Sequence, residues 1–409
     1  MAYWVSPWQL AQCPHCLYRF HPSDAHLRPT RGNGPLVNDE GVEWFLERRV
    51  SLPPAVDPTK DRSRWQRWLS RLRVVSQTAA GYDHLCPRCH LPISLASATG
   101  QIPTAALAII GEKGAGKSTY LGMLIRQLLD GDHASIAGFS VTPQDSFDVN
   151  RMQRVSSRDL WQCRYADVMF EQRRLLEGTP SAAVNPIYRT PLILRLRQLF
   201  GWHRQLELCL YDTAGEDLSD DRLADRYYPF LPKMQGVLLL IDPLRLPQQR
   251  DKLTPHERQA LGLSQASAIL ERLQRLMERY GRYPVGKPIH LPMAIVLTKS
   301  DRLRDDPPPA RFLEPSRHVG GIDLADLQVV SQEVQDRLRR YGGANMLAQL
   351  QRFSTVGYFA VSSLGKQPSP EAGGYGSFLD YTPLRVVDPL FWLLHRLGFL
   401  PASRATPAA

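Results

Sequence analysis

Eight residues, Gly111-Glu-Lys-Gly-Ala-Gly116-Lys117-Ser118, stand between an apolar run and a helical one. In that setting the pattern G-x-x-x-x-G-K-[ST] is chemistry for polyphosphate. Glycines let backbone N–H groups curl around anionic oxygens, and a helix N-terminus adds partial positive charge. Gly111, Lys113, Gly114, Ala115, Gly116 and Thr119 belong to this cradle, Lys117 reaches the outer phosphates, and the Ser118 hydroxyl is a Mg²⁺ ligand. The loop implies a nucleoside triphosphate and leaves its base open.

Thr298-Lys299-Ser300-Asp301, directly after the apolar Ala294–Leu297, supplies the base. A carboxylate at 301 can accept from the ring N–H and the exocyclic amine of guanine. Adenine offers a lone pair at the first position and no amine at the second, and a buried acceptor facing a lone pair costs a factor of roughly 10⁴. The stem of Lys299 can cover the base plane, and the backbone of Ser362-Ser363-Leu364 could donate to the guanine carbonyl. In Tyr211-Asp212-Thr213-Ala214-Gly215-Glu216, Asp212 can hold Mg²⁺ through water. Gly215 lets a backbone N–H approach the γ-phosphate, where a side chain would block it. Loss of that phosphate frees the loop. GTP and GDP are the expected ligands.

Cys13-Pro-His-Cys16 and Cys86-Pro-Arg-Cys89 are matching knuckles, while Cys163 and Cys209 stand alone. Four thiolates at this spacing suit tetrahedral Zn²⁺ in a closed, structural shell. Separate redox pairs are the alternative, and His15 or His90 could replace a cysteine. The 69 residues between the knuckles exceed the usual ribbon spacing and point to a segment inserted at about 24–80. Within it lies Arg62-Ser-Arg64-Trp65-Gln-Arg67-Trp68-Leu-Ser-Arg71-Leu72-Arg73. Trp65, Trp68, Leu69 and Leu72 make a helical apolar face for packing on a neighbour; the competing reading is a grip on nucleic acid or acidic lipid.

Elements must hold these residues in place. Residues 1–100 carry the knuckles; from 101 to 400 apolar runs alternate with helical periodicity, the mark of a parallel α/β sheet. Buried strands are expected at Thr104–Ile110, Met234–Ile241, Met293–Leu297 and Thr355–Val361, each ending just before a polar or glycine-rich stretch. Ligands of open parallel sheets bind beyond those carboxyl ends. Leu192–Arg197 and Leu206–Leu210 alternate as an antiparallel hairpin, the first an edge strand. Helices are expected at Lys117–Leu129, Arg158–Leu176, Leu263–Tyr280, from Asp323 to Tyr341, and from Asp388 to Leu397, with residues 401–409 a disordered tail.

At 409 residues, 43% hydrophobic and 22% charged, the chain has the composition of a globular protein. No run of about 18 apolar residues is present to span a membrane. Met1–Leu10 lacks the regions of a secretory signal, so a cytoplasmic address is expected. The net charge of +10 is compatible with nucleic acid, acidic lipid or acidic protein, and equally with a high-GC coding bias; alone it decides nothing.

With these motifs in order, 104–397 resembles the translation-factor-like and Ras-like (TRAFAC) P-loop GTPases. The combination with a zinc ribbon and long insertions is similar to bacterial double-GTPase families of conflict or defence systems. The resemblance implies a three-layer α/β sandwich, mostly parallel with one antiparallel edge strand, plus a small zinc-ribbon domain. It also implies hydrolysis of GTP to GDP and phosphate, with Lys117, Gly215 and Glu216 catalytic and Ser118, Thr179 and Asp212 around Mg²⁺. Effector and activating proteins, and a second GTPase subunit, are the implied partners. This chain departs from the pattern in several ways. Lys117 and Asp212 lie 95 positions apart, which marks an insertion at about 131–185. A second insertion, 302–321, reads as a proline-rich surface loop for a partner. Thr179 is preferred over Thr190 as the metal ligand of the first switch. Lys113 replaces a glycine of Ras, hindering a partner's arginine, and Glu216 replaces a water-orienting glutamine. A carboxylate accepts from water but cannot donate to the phosphoryl group, so slow intrinsic turnover is expected. Two other classes of function stay open: a nucleotide-held scaffold with little hydrolysis, and a zinc-ribbon protein binding nucleic acid under GTP control.

Overall fold

Alternation along Thr104–Gly111 builds the centre of the molecule. Ala105, Leu107 and Ile109 face one side and Ala106, Ala108 and Ile110 the other, all buried, because helices cover both faces. The computed structural model describes residues 10–30, 35–60, 63, 65–66, 81–176, 190–201, 203–213, 218, 221–228, 230–261, 264–280, 283–367 and 380–403. Its main sheet has seven strands: β1 (Thr104–Gly111), β2 (Phe139–Pro143), β3 (Leu192–Gln198), β4 (Gln205–Asp212), β5 (Gly236–Ile241), β6 (Met293–Leu297) and β7 (Val356–Ala360). Their order is β7-β6-β5-β1-β4-β3-β2, with β3 antiparallel to both neighbours and the other pairings parallel. Helices α1 (Lys117–Leu129) and α4 (Asp388–Arg396) cover one face; α2 (Ala266–Arg279) and α3 (Leu324–Arg340) cover the other. The three-layer sandwich is therefore as expected. Among the described residues no helix is long and apolar enough to cross a membrane.

Four expectations change. First, β3 is not an edge strand: β2 pairs with it from Leu194↔Pro143 to Gln198↔Phe139. Leu192, Leu194 and Leu196 are buried, and so is Ile193 on the opposite face; an open edge there would expose unpaired backbone beside apolar surface. Second, the helix expected over Arg158–Leu176 is an α-turn at Ser157–Trp161 continuing as a π-helix at Gln162–Glu171. Third, 302–321 is anchored, since Leu303, Ala310 and Phe312 are buried in the core and Arg311 pairs with Asp326 at 2.5 Å. Fourth, the tail begins later than 401. Ile322 N–H donates to Pro401 O (2.9 Å) and Ser403 N–H to Ile322 O (2.8 Å), satisfying a backbone that would otherwise be orphaned.

The N-terminal unit is a small ribbon. Ala11–Gln12 pairs with Arg19–Phe20, and His26–Pro29, Tyr82–Leu85 and Pro92–Ile93 form a three-stranded sheet. The stem of the expected insert is thus ribbon strand. Trp65 is 73% exposed; Trp68, Leu69 and Leu72 lie outside the described residues. The hairpin Asp145–Asp148/Gln153–Ser156, from the first GTPase-side insertion, lends Phe147 and Val149 to the ribbon core.

Candidate functional site

β1 delivers the chain into the phosphate loop. A Cβ on Gly111 would lie 2.5 Å from the Leu240 carbonyl oxygen, so only glycine lets the loop leave the sheet beside β5. Gly114 (φ +74°) and Gly116 (φ +82°) take the left-handed turns that curl the loop. Ala115 N–H donates to Glu112 O (3.1 Å) and Tyr120 N–H to Gly116 O (2.8 Å), which starts α1. Lys117 is buried, its Nζ 3.5 Å from Glu112 O, while Lys113 is exposed. Glu112 is fully buried and accepts from Ser264 Oγ (2.5 Å) and Ala266 N–H (3.0 Å); Arg245 Nε stands 3.7 Å away. Burial pushes its carboxyl above the ordinary range despite these partners.

Gly114, Ala115, Gly116, Lys117, Ser118 and Thr119 line one wall of a cavity of about 410 Å³. Thr298, Lys299, Asp301, Ser362, Ser363 and Leu364 line it too, so motifs far apart in the chain meet in one site. Each is held from behind. Thr298 donates from its N–H and its Oγ1 to Ile241 O, at 3.0 and 3.2 Å, clipping the loop to the end of β5. Lys299 sits at φ +52° with Nζ 2.6 Å from the buried Asp242. Ser362 Oγ donates to Asp301 Oδ1 at 2.5 Å and fixes the plane of that carboxylate. The Ser362 N–H donates to Leu384 O (3.0 Å), so the backbone expected to serve the base carbonyl narrows to Ser363 and Leu364.

At the end of β4, Asp212 is buried and accepts from the Tyr165 phenol at 3.0 Å. Thr213 donates from Oγ1 to Ile109 O at 2.8 Å. Hard oxygen donors such as the Ser118 hydroxyl and the Asp212 carboxylate fit Mg²⁺. Thr179, Gly215 and Glu216 lie outside the described residues. Thr190, the threonine not preferred, is buried and accepts on Oγ1 from Arg164 at 3.3 Å.

The cavity also takes Leu175, Leu176, Leu244, Arg302, Lys366 and Gln367, which sequence reasoning did not assign to the site. Leu244 and Lys366 follow strand ends and were findable by the rule that ligands gather there. Arg302 follows Asp301 directly, yet its proline-rich context points to a partner loop. Leu175 and Leu176 carried no local signal, because a distant insertion brings them in.

In the ribbon, Cys13, Cys16, Cys86 and Cys89 are all buried with their sulfurs within 4.8 Å of one another. Cys13–Cys89 and Cys16–Cys86 are 3.7 and 3.6 Å apart, beyond disulfide length. A tetrahedron with Zn–S near 2.3 Å has edges of about 3.8 Å, so the set fits zinc. His15 N–H and Arg88 N–H point at Cys13 and Cys86 sulfur (3.3 and 3.4 Å). Leu17 (φ +54°) and His90 (φ +52°) turn both knuckles alike. Burial raises the Cys13 and Cys89 thiols, a cost that a bound dication would offset. One ring nitrogen of each histidine is engaged outside the cluster: His15 Nε2 on Pro92 O (3.1 Å), with burial pushing its ring down to about 4, and His90 Nδ1 on Asp39 (2.8 Å).

A family model described as Double-GTPase 2 matches residues 105–373. A Mycolicibacterium smegmatis protein named "Putative ESX-1 scaffolding and assembly protein SaeC" is 27% identical over 418 residues, covering 96% of this chain and 100% of the relative. Among solved structures, Sup35 complexed with GMPPNP is similar at TM-score 0.23 and 12% identity, over 64% of this chain and 38% of that one. The Ski7 GTPase-like domain of S. cerevisiae, bound to GTP, is similar at TM-score 0.31 and 13% identity, over 77% and 54%. This chain spans less than two thirds of either structure's length.

Proposed function

This chain belongs to the Double-GTPase 2 family, and on that premise we propose that it is a GTP-hydrolysing molecular switch, slow alone and accelerated by a partner. The observation that carries this reading is the shared cavity. A carboxylate at Asp301, held by Ser362, stands at one end and the phosphate loop at the other. Water attacks the γ-phosphorus, the bond to the β-phosphate oxygen breaks, and GDP and phosphate leave. Lys117 and the N-terminus of α1 offset the charge that develops on the phosphoryl oxygens. Ser118 and Asp212, with Thr179 from the first switch, would hold Mg²⁺, which would supply positive charge against the phosphates. Gly215 offers its N–H to the γ-phosphate, and Glu216 accepts from the attacking water without donating to the phosphoryl group. That asymmetry makes intrinsic turnover slow.

Equilibrium binding of GTP and ATP to the purified full chain, followed by single-turnover phosphate release, tests the reading. GTP held at least 100-fold more tightly than ATP, with slow release that cell extract accelerates, is the expected outcome. Equal retention of both nucleotides, or of neither, sinks it. We place the switch in the cytoplasm, with effector and activating proteins and a second GTPase subunit as its partners. A second reading, a nucleotide-held scaffold, draws on the whole-length relative named for scaffolding and assembly. Phosphate release that extract leaves unchanged would favour it.

A further inference from the structure

We propose that Tyr165 is a positioning residue for Asp212 and thereby sets how tightly Mg²⁺ is held at the nucleotide site. The inference rests on the GTP and Mg²⁺ reading of that site. The phenol is 1% exposed and donates to Asp212 Oδ2 at 3.0 Å. It comes from the π-helix at Gln162–Glu171, inside the insertion that separates the phosphate loop from Asp212. π-Turns are rare and gather at functional sites, where they re-aim side chains.

The π-helix is locked to α1, the helix that opens at the phosphate loop. Trp161 Nε1–H donates to Gly122 O at 3.0 Å. A Cβ on Gly122 would lie 2.7 Å from Met169 Sδ and 3.1 Å from Tyr165 Cβ, so the missing side chain admits the π-helix at close range. The phenol is therefore registered against the phosphate site through α1, and against the metal carboxylate directly. A carboxylate with one oxygen held by a buried donor has its plane fixed, so no rotational freedom is lost when it takes up metal. Outer partners of this kind are worth 10- to 100-fold in metal affinity.

The test reads the Mg²⁺ dependence of dissociation of a fluorescent GDP analogue from the full chain. Tyr165→Phe is expected to raise the Mg²⁺ midpoint by about tenfold while leaving dissociation in EDTA unchanged. In an Asp212→Asn background the same substitution should change nothing, because the phenol acts through that carboxylate. An unchanged midpoint, or equal shifts with and without Asp212, overturns the proposal. If the phenylalanine variant does not fold, 3-fluorotyrosine at 165 keeps the shape and donates more strongly. A lowered midpoint then supports the proposal, and an unmoved one overturns it. Wild-type chain whose nucleotide retention ignores Mg²⁺ would instead overturn the parent reading.

Discussion

On the function proposed for Asp301, a single atom of that side chain decides which base is held. Asp301→Asn replaces one acceptor with an N–H donor, which faces the guanine amine donor to donor but suits a base carrying a carbonyl at that place, as xanthine does. GTP affinity should fall by roughly 10²- to 10³-fold and xanthosine triphosphate should gain over wild type, as read by competition binding. Ser362→Ala leaves the carboxylate but frees its plane, since the serine hydroxyl donates to Asp301 at 2.5 Å. About tenfold weaker GTP binding with ATP unaffected is expected, and parallel losses for both nucleotides would mean a collapsed loop instead. Glu112 behaves differently. Burial raises its carboxyl above the ordinary value of 4.5, so the folded chain holds that proton more tightly than the unfolded one. Its contribution to stability is fully present below about pH 4.5 and is lost as pH rises through the folded value. Glu112→Gln should therefore be more stable than wild type at neutral pH and lose that advantage near pH 4. Denaturant midpoints at the two pH values check the sign; a variant weakened at neutral pH would show that the Arg245 pair outweighs burial.

At the scale of elements, Gly122→Ala probes the contact between α1 and the π-helix. Alanine favours a helix by about 1 kcal/mol over glycine, but here the new methyl meets Met169 Sδ at 2.7 Å. We expect overpacking to prevail, with a net loss of about 1–2 kcal/mol and a melting temperature lower by a few degrees. A stabilised variant would mean that the π-helix can move away freely. The same contact shows what was legible beforehand. The sequence pattern predicts α1 over Lys117–Leu129 and β6 over Met293–Leu297, both as found, because an apolar run or a helical stripe beside a nucleotide motif leaves few alternatives. The ends of the cavity were legible for the same reason. Phe139–Pro143 was not: it is short, holds two polar residues, and becomes a strand only because β3 offers an edge more than 50 positions away. The π-helix escaped notice too, since its apolar residues fit ordinary helical spacing and its register depends on Gly122. Leu175 and Leu176 reach the cavity through that same helix.

Across the whole molecule, the ribbon is tied to chain on either side of the segments expected to change with the nucleotide. Arg154 pairs with Asp83 at 2.9 Å on the side of the first, and Arg226 with Glu47 at 2.5 Å beyond the second. Leu17, the residue after the first knuckle, joins the core beneath β4 and β5. Between them, the Tyr211 hydroxyl donates to Pro14 O, and lies 3.1 Å from His15 O, inside the Cys13–Cys16 turn. Successive strand residues point to opposite faces, so Tyr211 grips the knuckle while Asp212, its neighbour, turns to the other face and meets Tyr165. Removing zinc should thus disturb more than the ribbon: stripped chain is expected to bind GTP analogue less tightly, measured by titration before and after chelation. Thermodynamics then demands the converse in equal measure. Whatever factor zinc contributes to nucleotide affinity, nucleotide must return to zinc, so the ion's affinity, read at equilibrium against a chromogenic chelator, should report from the far side of a single strand whether the nucleotide cavity is filled.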